Sequence, residues 1–141
     1  MPMAKILAID EKNEILQRIK FVLELDNNEV ITASGSEEGL EIFNKHCNTT
    51  DAVLIDIKLL MSSGMELLQK FRKVMPHLSV MVLTEHNDME NAVLAIKEGA
   101  FGYIKKPFTA EDLLIAVKNA ISNKKLLLEN ARITRELLEQ K

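Results

Sequence analysis

Five short apolar runs punctuate the chain, at residues 5–9, 29–33, 52–55, 79–83 and 101–104. Most are continuous rather than alternating, which is how strands covered on both faces of a parallel sheet read. Between them, apolar positions recur at helical spacing. Ile15, Ile19, Val22 and Leu23 share a face in 14–25, and Leu40, Ile42 and Phe43 in 36–46. Leu67, Leu68 and Phe71 do so in 64–74, and Ala92, Val93 and Ile96 in 88–97. Ser36 and Asp88 are the expected N-caps of two of these helices, Gly64 the expected start of another, and Gly99 a stop. A last helix starts at Thr109, where Asp112 three residues on makes a near capping box.

Strand and helix thus alternate five times, which predicts an α/β fold with helices on both faces of a parallel sheet. Right-handed crossovers leave the doubly wound, flavodoxin-like (CheY-like) order 2-1-3-4-5 as the expected solution. In such a sheet ligands gather beyond the carboxyl ends of the strands. Those ends carry Asp10 and Glu11 after the first strand, Asp56 after the third and Thr84 after the fourth. Lys106, followed by Pro107, comes after the fifth. Three carboxylates in one pocket repel, by about 4 kcal/mol per pair at ~4 Å in an effective dielectric of 20. One lysine cannot neutralise them, whereas a hard divalent cation with oxygen ligands can, so Mg²⁺ (or Mn²⁺) is expected. Asp56, on the central strand, then becomes a nucleophile toward phosphorus. The cation and Lys106 offset charge on the transferring oxygens. Thr84 has a hydroxyl to donate to them.

Composition agrees with a protein of the cytoplasm. The chain has 141 residues, 47% of them hydrophobic. It has no apolar run long enough for a membrane span and no secretory signal pattern at its start. Cys47 is the only cysteine, which excludes a disulfide framework. The net charge of −3 is unevenly spread. Residues 1–117 hold 12 basic and 18 acidic side chains, and residues 118–141 hold 6 basic and 3 acidic. In that tail, bases alternate with acids, which reads as a solvated helix face rather than a nucleic-acid arm.

Four stretches carry a family resemblance: ILAIDE at 6–11, VLIDIKLLMSSG at 53–64, VLTE at 82–85 and GYIKKPF at 102–108. In this order and spacing they resemble the receiver domain of bacterial response regulators, over about residues 4–122. The resemblance implies an acidic pair at Asp10 and Glu11, a phosphoacceptor at Asp56, and a switch pair at Thr84 and Tyr103. It also implies Lys106 as the conserved-type lysine before proline, a metal-ligating backbone carbonyl at Lys58, and a histidine kinase as phosphoryl donor. Such a domain would phosphorylate and dephosphorylate only itself. Three residues depart from the family pattern: Glu11 in place of aspartate, Leu60 in place of proline, and Glu85 in place of a small residue. Leu60 is expected to loosen the loop after Asp56, and Glu85 to crowd the pocket or repel the donor.

The helical pattern from Thr109 runs on to Lys141 without Pro or Gly. Residues 1–122 are therefore read as the receiver and 123–141 as a helical extension. One heptad register threads Leu126, Asn130, Ile133 and Leu137, and another threads Leu127, Ala131, Thr134 and Leu138. Either predicts a parallel two-stranded coiled coil; the alternative is a helix folded back on its own domain. The expected homodimer uses this helix together with the face of the fourth helix, fifth strand and fifth helix. The stretch 124–138, KKLLLENARITRELL, resembles linkers that join receivers to ATPase domains in nitrogen-regulation-type activators. It implies a transcriptional output domain beyond this chain. Two other functions fit the same residues: a phosphorylation-independent interaction module, and a small-molecule phosphatase. The phosphatase is disfavoured because Lys58, not an acid, stands two residues after Asp56.

Overall fold

The computed structural model describes residues 4–139. Five strands, β1 (Lys5–Ile9), β2 (Glu29–Ala33), β3 (Ala52–Asp56), β4 (Ser79–Thr84) and β5 (Gly102–Lys105), pair in parallel in the order β2-β1-β3-β4-β5. Six α-helices connect and flank them: α1 (Asn13–Leu25), α2 (Ser36–His46), α3 (Ile57–Ser62), α4 (Glu66–Val74), α5 (Met89–Lys97) and α6 (Ala110–Glu139). The expected sheet order and extended last helix are both present.

The apolar runs are continuous because both faces of the sheet are covered. Alternate residues of each strand enter opposite layers. Leu7, Ile9, Val53, Ile55, Val80 and Val82 pack with Phe43, Leu68 and Phe71 on one side. Ile6, Ala8, Leu54 and Leu83 pack with Leu16, Ile19, Leu113 and Val117 on the other. Phe43 and Phe71 meet edge to face, with ring centroids 4.7 Å apart. Gly39 lets α2 lie close on the end of β1. A Cβ there would stand 2.5 Å from Ile9 Cδ1.

Several local expectations differ from the structure, wholly or in part. The segment after Asp56 is a helix, not a loosened loop. Ile57, Leu59 and Leu60 bury beneath it, Leu60 completely. A leucine at that position supplies both the core contact and a backbone N–H, which proline lacks. Gly64 does not open the next helix. It forms, with Met65, a left-handed pair (φ 60° and 70°) between α3 and α4. Ser36 is the first residue of α2 rather than its cap, and its hydroxyl is buried without a partner. Asp88 stands at the cap position of α5 but makes no side-chain capping bond. Finally, α5 buries Ala92 and Ala95 and leaves Val93, Leu94 and Ile96 exposed. Small residues let the helix approach the sheet, so its larger side chains face outward. The reciprocal capping bonds at Thr109 and Asp112 form as expected, at 3.1 and 3.0 Å.

Helix α6 packs on the body through Leu113, Val117 and Ala120, and its last attachment is polar. The Ser79 hydroxyl donates to the Ala120 carbonyl at 2.7 Å and accepts from the Asn123 amide at 3.1 Å. The Lys124 ammonium donates to the Thr50 carbonyl at 3.0 Å and lies 3.4 Å from the Asp51 carboxylate. Residues 125–139 are exposed and continue straight out of the domain, so α6 does not fold back on it. The last two positions of the expected tail, 140 and 141, lie outside the described residues.

Candidate phosphoryl-acceptor site

Parallel pairing brings the carboxyl ends of β1, β3, β4 and β5 to one edge of the sheet. Asp10 is fully buried there. Its Oδ1 accepts the Lys12 backbone N–H at 2.8 Å, which fixes the turn into α1. Its Oδ2 accepts the Lys106 ammonium at 2.6 Å. Asp56 ends β3 and is 8% exposed. Its Oδ1 lies 3.5 Å from the same ammonium, and its carboxylate accepts the Lys58 backbone N–H. Lys106 is held in turn by its own backbone N–H, which donates to the Thr84 carbonyl at 2.7 Å, and it precedes a cis peptide bond to Pro107.

A single ammonium thus serves two buried carboxylates. The balance is incomplete at Asp56: burial pushes its carboxyl above the usual range, Asp10 adds to this, and Lys106 only partly opposes it. Thr84 is fully buried, and its hydroxyl donates to the Glu85 carbonyl at 3.1 Å. Glu11 is exposed, and among the described residues no three His, Cys, Asp or Glu side chains come together as a metal cluster. Asp10 and Asp56 converge, while Glu11 stands beside them.

The donor set still fits a hard cation. It is all oxygen and carries more negative than positive charge, as a Mg²⁺ site requires. Lys58 lies in the first turn of α3, where a carbonyl in the helical ladder keeps a second lone pair. Tyr103 lies away from this cluster and is 44% exposed. With Ile96, Phe101, Ile115 and Ala116 it lines a cavity of about 640 Å³ between α5, β5 and α6.

Glu85 does not stand as a free negative charge. Its carboxylate accepts from the Lys12 ammonium at 3.0 Å and lies 4.0 Å from that of Lys58. The hydrogen bond from Lys12 holds the Glu85 carboxyl below, and the Lys12 ammonium above, their usual ranges. Sequence reasoning weighed Glu85 alone and missed the two lysines. The signal was that each sits two residues after a strand-end aspartate.

The sequence profile described as the response regulator receiver domain matches residues 6–118. The chain belongs to the response-regulator receiver family. This receiver is 30% identical over 118 residues to the transcriptional regulatory protein GlrR of Escherichia coli, covering 84% of this chain and 26% of that protein. It is 30% identical to a putative NtrX-like response regulator of Rickettsia bellii, covering 99% of this chain and 29% of the relative. The receiver therefore spans less than a third of either regulator. Among solved structures, a receiver domain protein of Clostridium thermocellum is 56% identical, with a TM-score of 0.82, over 89% of this chain and 99% of that one. Resemblance to nitrogen-regulation-type regulators and the CheY-like fold are thus both established. Among the described residues, no helix is long and apolar enough to cross a membrane.

Proposed function

We propose that this receiver accepts a phosphoryl group on Asp56 from a phosphohistidine of a partner kinase, and that it passes the change to an output domain acting in transcription. The observation that carries this reading is the buried Asp56 carboxylate, held beside Lys106 and Asp10 at the mouth of the sheet. An Asp56 oxygen forms the bond to phosphorus while the donor's P–N bond breaks, and the imidazole leaves with the electron pair. Lys106 stabilises charge on the transferring oxygens and orients the carboxylate. Thr84 leaves the Glu85 carbonyl to donate to a phosphoryl oxygen, and the ring of Tyr103 can then move into the space it vacates. Asp10, Asp56, the Lys58 carbonyl and, after a rotation of its side chain, Glu11 would hold Mg²⁺ or Mn²⁺. The ion supplies positive charge against the phosphoryl oxygens. Intact mass after incubation with acetyl phosphate and Mg²⁺ is the test. The wild type should gain one phosphoryl group, Asp56→Ala none, and chelation should abolish the gain. No gain in the wild type would favour a phosphorylation-independent interaction module.

We further propose that the receiver pairs with a second copy through α5, β5 and α6, and that α6 chooses between the two heptad registers. A helix turns about 100° per residue. Counted from buried Lys124, the line of Leu127, Ala131 and Leu138 continues the face that packs on the domain. Leu126, Ile133 and Leu137 lie on the opposite side. Traced backward, that side passes Asn119 and Ile115, which line the cavity beside Tyr103 and Phe101. A parallel pair joined through Leu126, Asn130, Ile133 and Leu137 therefore turns the α5–β5–α6 faces of the two domains toward each other. The other register would aim the partner helix at its own domain. Ile133→Asp should weaken the dimer at least about tenfold in sedimentation equilibrium, the scale of a lost core contact. Leu127→Asp should spare it, and the reverse ranking would overturn the register.

A further inference from the structure

The entrance to the acceptor site carries a charge arrangement that the transfer chemistry does not use. Lys12 follows β1 and Lys58 follows β3, and both ammonium groups turn toward Glu85. Glu85, at the end of β4, lies between them, 3.0 Å from Lys12 and 4.0 Å from Lys58. A cavity of about 520 Å³, lined by Lys12, Ile15, Glu85, His86, Lys106 and Pro107, opens beside them. Its walls hold the Glu85 carboxylate with the Lys12 and Lys106 ammonium groups, the Lys58 ammonium lies 4.0 Å from the same carboxylate, and Lys106 is 3.5 Å from Asp56.

We propose that Lys12 and Lys58 form the seat for an anionic phosphoryl donor, and that Glu85 occupies this seat in the resting protein as an internal competitor. The inference rests on Asp56 being the acceptor. A phosphoryl donor brings its own oxyanions to the mouth of the site. They can engage the two lysines only as these release the Glu85 carboxylate. Each of these ion pairs is exposed, so the exchange is easy, and Glu85 tunes the rate of entry rather than blocking it. The donor's charge is then drawn toward the site by the same lysines that Glu85 otherwise neutralises.

The test follows the rate of mass gain with acetyl phosphate at saturating Mg²⁺. In that reaction an Asp56 oxygen bonds to phosphorus, the phosphorus–acetyl oxygen bond breaks, and acetate leaves with the electron pair. Glu85→Gln should raise the second-order rate constant about three- to tenfold at low ionic strength. The advantage should shrink as salt rises toward a Debye length of about 8 Å and below. Adding Lys12→Gln and Lys58→Gln to that variant should cancel the gain. Two results would overturn the proposal: an unchanged rate in Glu85→Gln, or a faster rate that survives loss of both lysines, which would mean simple repulsion by Glu85. If the wild type labels at Asp56 and Glu85→Gln is no faster, only this inference fails. Failure of every protein to label overturns it together with the reading it rests on.

Discussion

Lys106→Met should destabilise the metal-free receiver by about 3–5 kcal/mol, the usual cost of removing one partner from a buried ion pair. Methionine keeps most of the stem volume, so the loss comes from charge rather than from a cavity. Asp10 is fully enclosed and gives one oxygen to the ammonium at 2.6 Å. Asp56 lies 3.5 Å from the same nitrogen. Without Lys106 the two carboxylates face each other with no cation between them. Urea unfolding reads the loss directly. Millimolar Mg²⁺ should restore part of it, because the ion takes over the role of counter-charge to the same two carboxylates. A loss below about 1 kcal/mol would mean that Lys106 behaves as an exposed lysine, contrary to its position.

The opposite effect is expected at the carboxylate beside it. Asp56→Asn should stabilise the metal-free receiver, on the order of 1 kcal/mol, while abolishing phosphoryl acceptance. The sign follows from the direction of its carboxyl, which burial pushes up. A carboxyl whose folded-state value exceeds its unfolded one favours the folded state at low pH. It loses that contribution as pH rises from the ordinary carboxylate range through the raised value. Asparagine does not titrate. Its advantage in thermal unfolding should therefore open across that interval and stay constant above it. A constant difference at every pH, or a less stable variant at neutral pH, would contradict the assignment of strain to the Asp56 charge. Metal should reverse the order, since the wild type alone offers the second carboxylate. Acceptor sites that favour function over stability are expected to behave in this way.

The sheet could be read from the sequence because its signal is redundant: the three central strands, β1, β3 and β4, are buried on both faces and so are almost continuously apolar. Asp10, Asp56, Thr84 and Lys106 were findable for a related reason. Asp10, Asp56 and Thr84 are the first polar residues after three of the apolar runs and Lys106 the second after a fourth, and parallel pairing brings them to one edge. What escaped were features that depend on a neighbour distant in sequence. Leu60 looked like a missing proline, yet the core beneath it decides its structure, and a short helix replaces the loop. Val93 and Ile96 looked like an inward face, because periodicity reports amphipathicity but not which stripe meets the sheet. The alanines do. Glu85 looked like an isolated negative charge, because its partners Lys12 and Lys58 stand 73 and 27 positions away in the chain.

The polar clasp at the root of α6 has a mechanical consequence. Thr50 and Asp51 lead directly into β3, which ends in Asp56, and Ser79 begins β4, which ends in Thr84. The strands that bear the acceptor and the hydroxyl are thus fastened at their other ends to the helix near Lys124. Beyond that point α6 runs another fifteen residues, a boom of roughly 22 Å at 1.5 Å per residue. Tilting such a boom by about 5° at its root carries its tip through ~2 Å, which is the scale of helix shift that repacks an interface. A rearrangement too small to alter the fold at one edge of the sheet is thereby long enough, at the far end of the helix, to change which side chains meet.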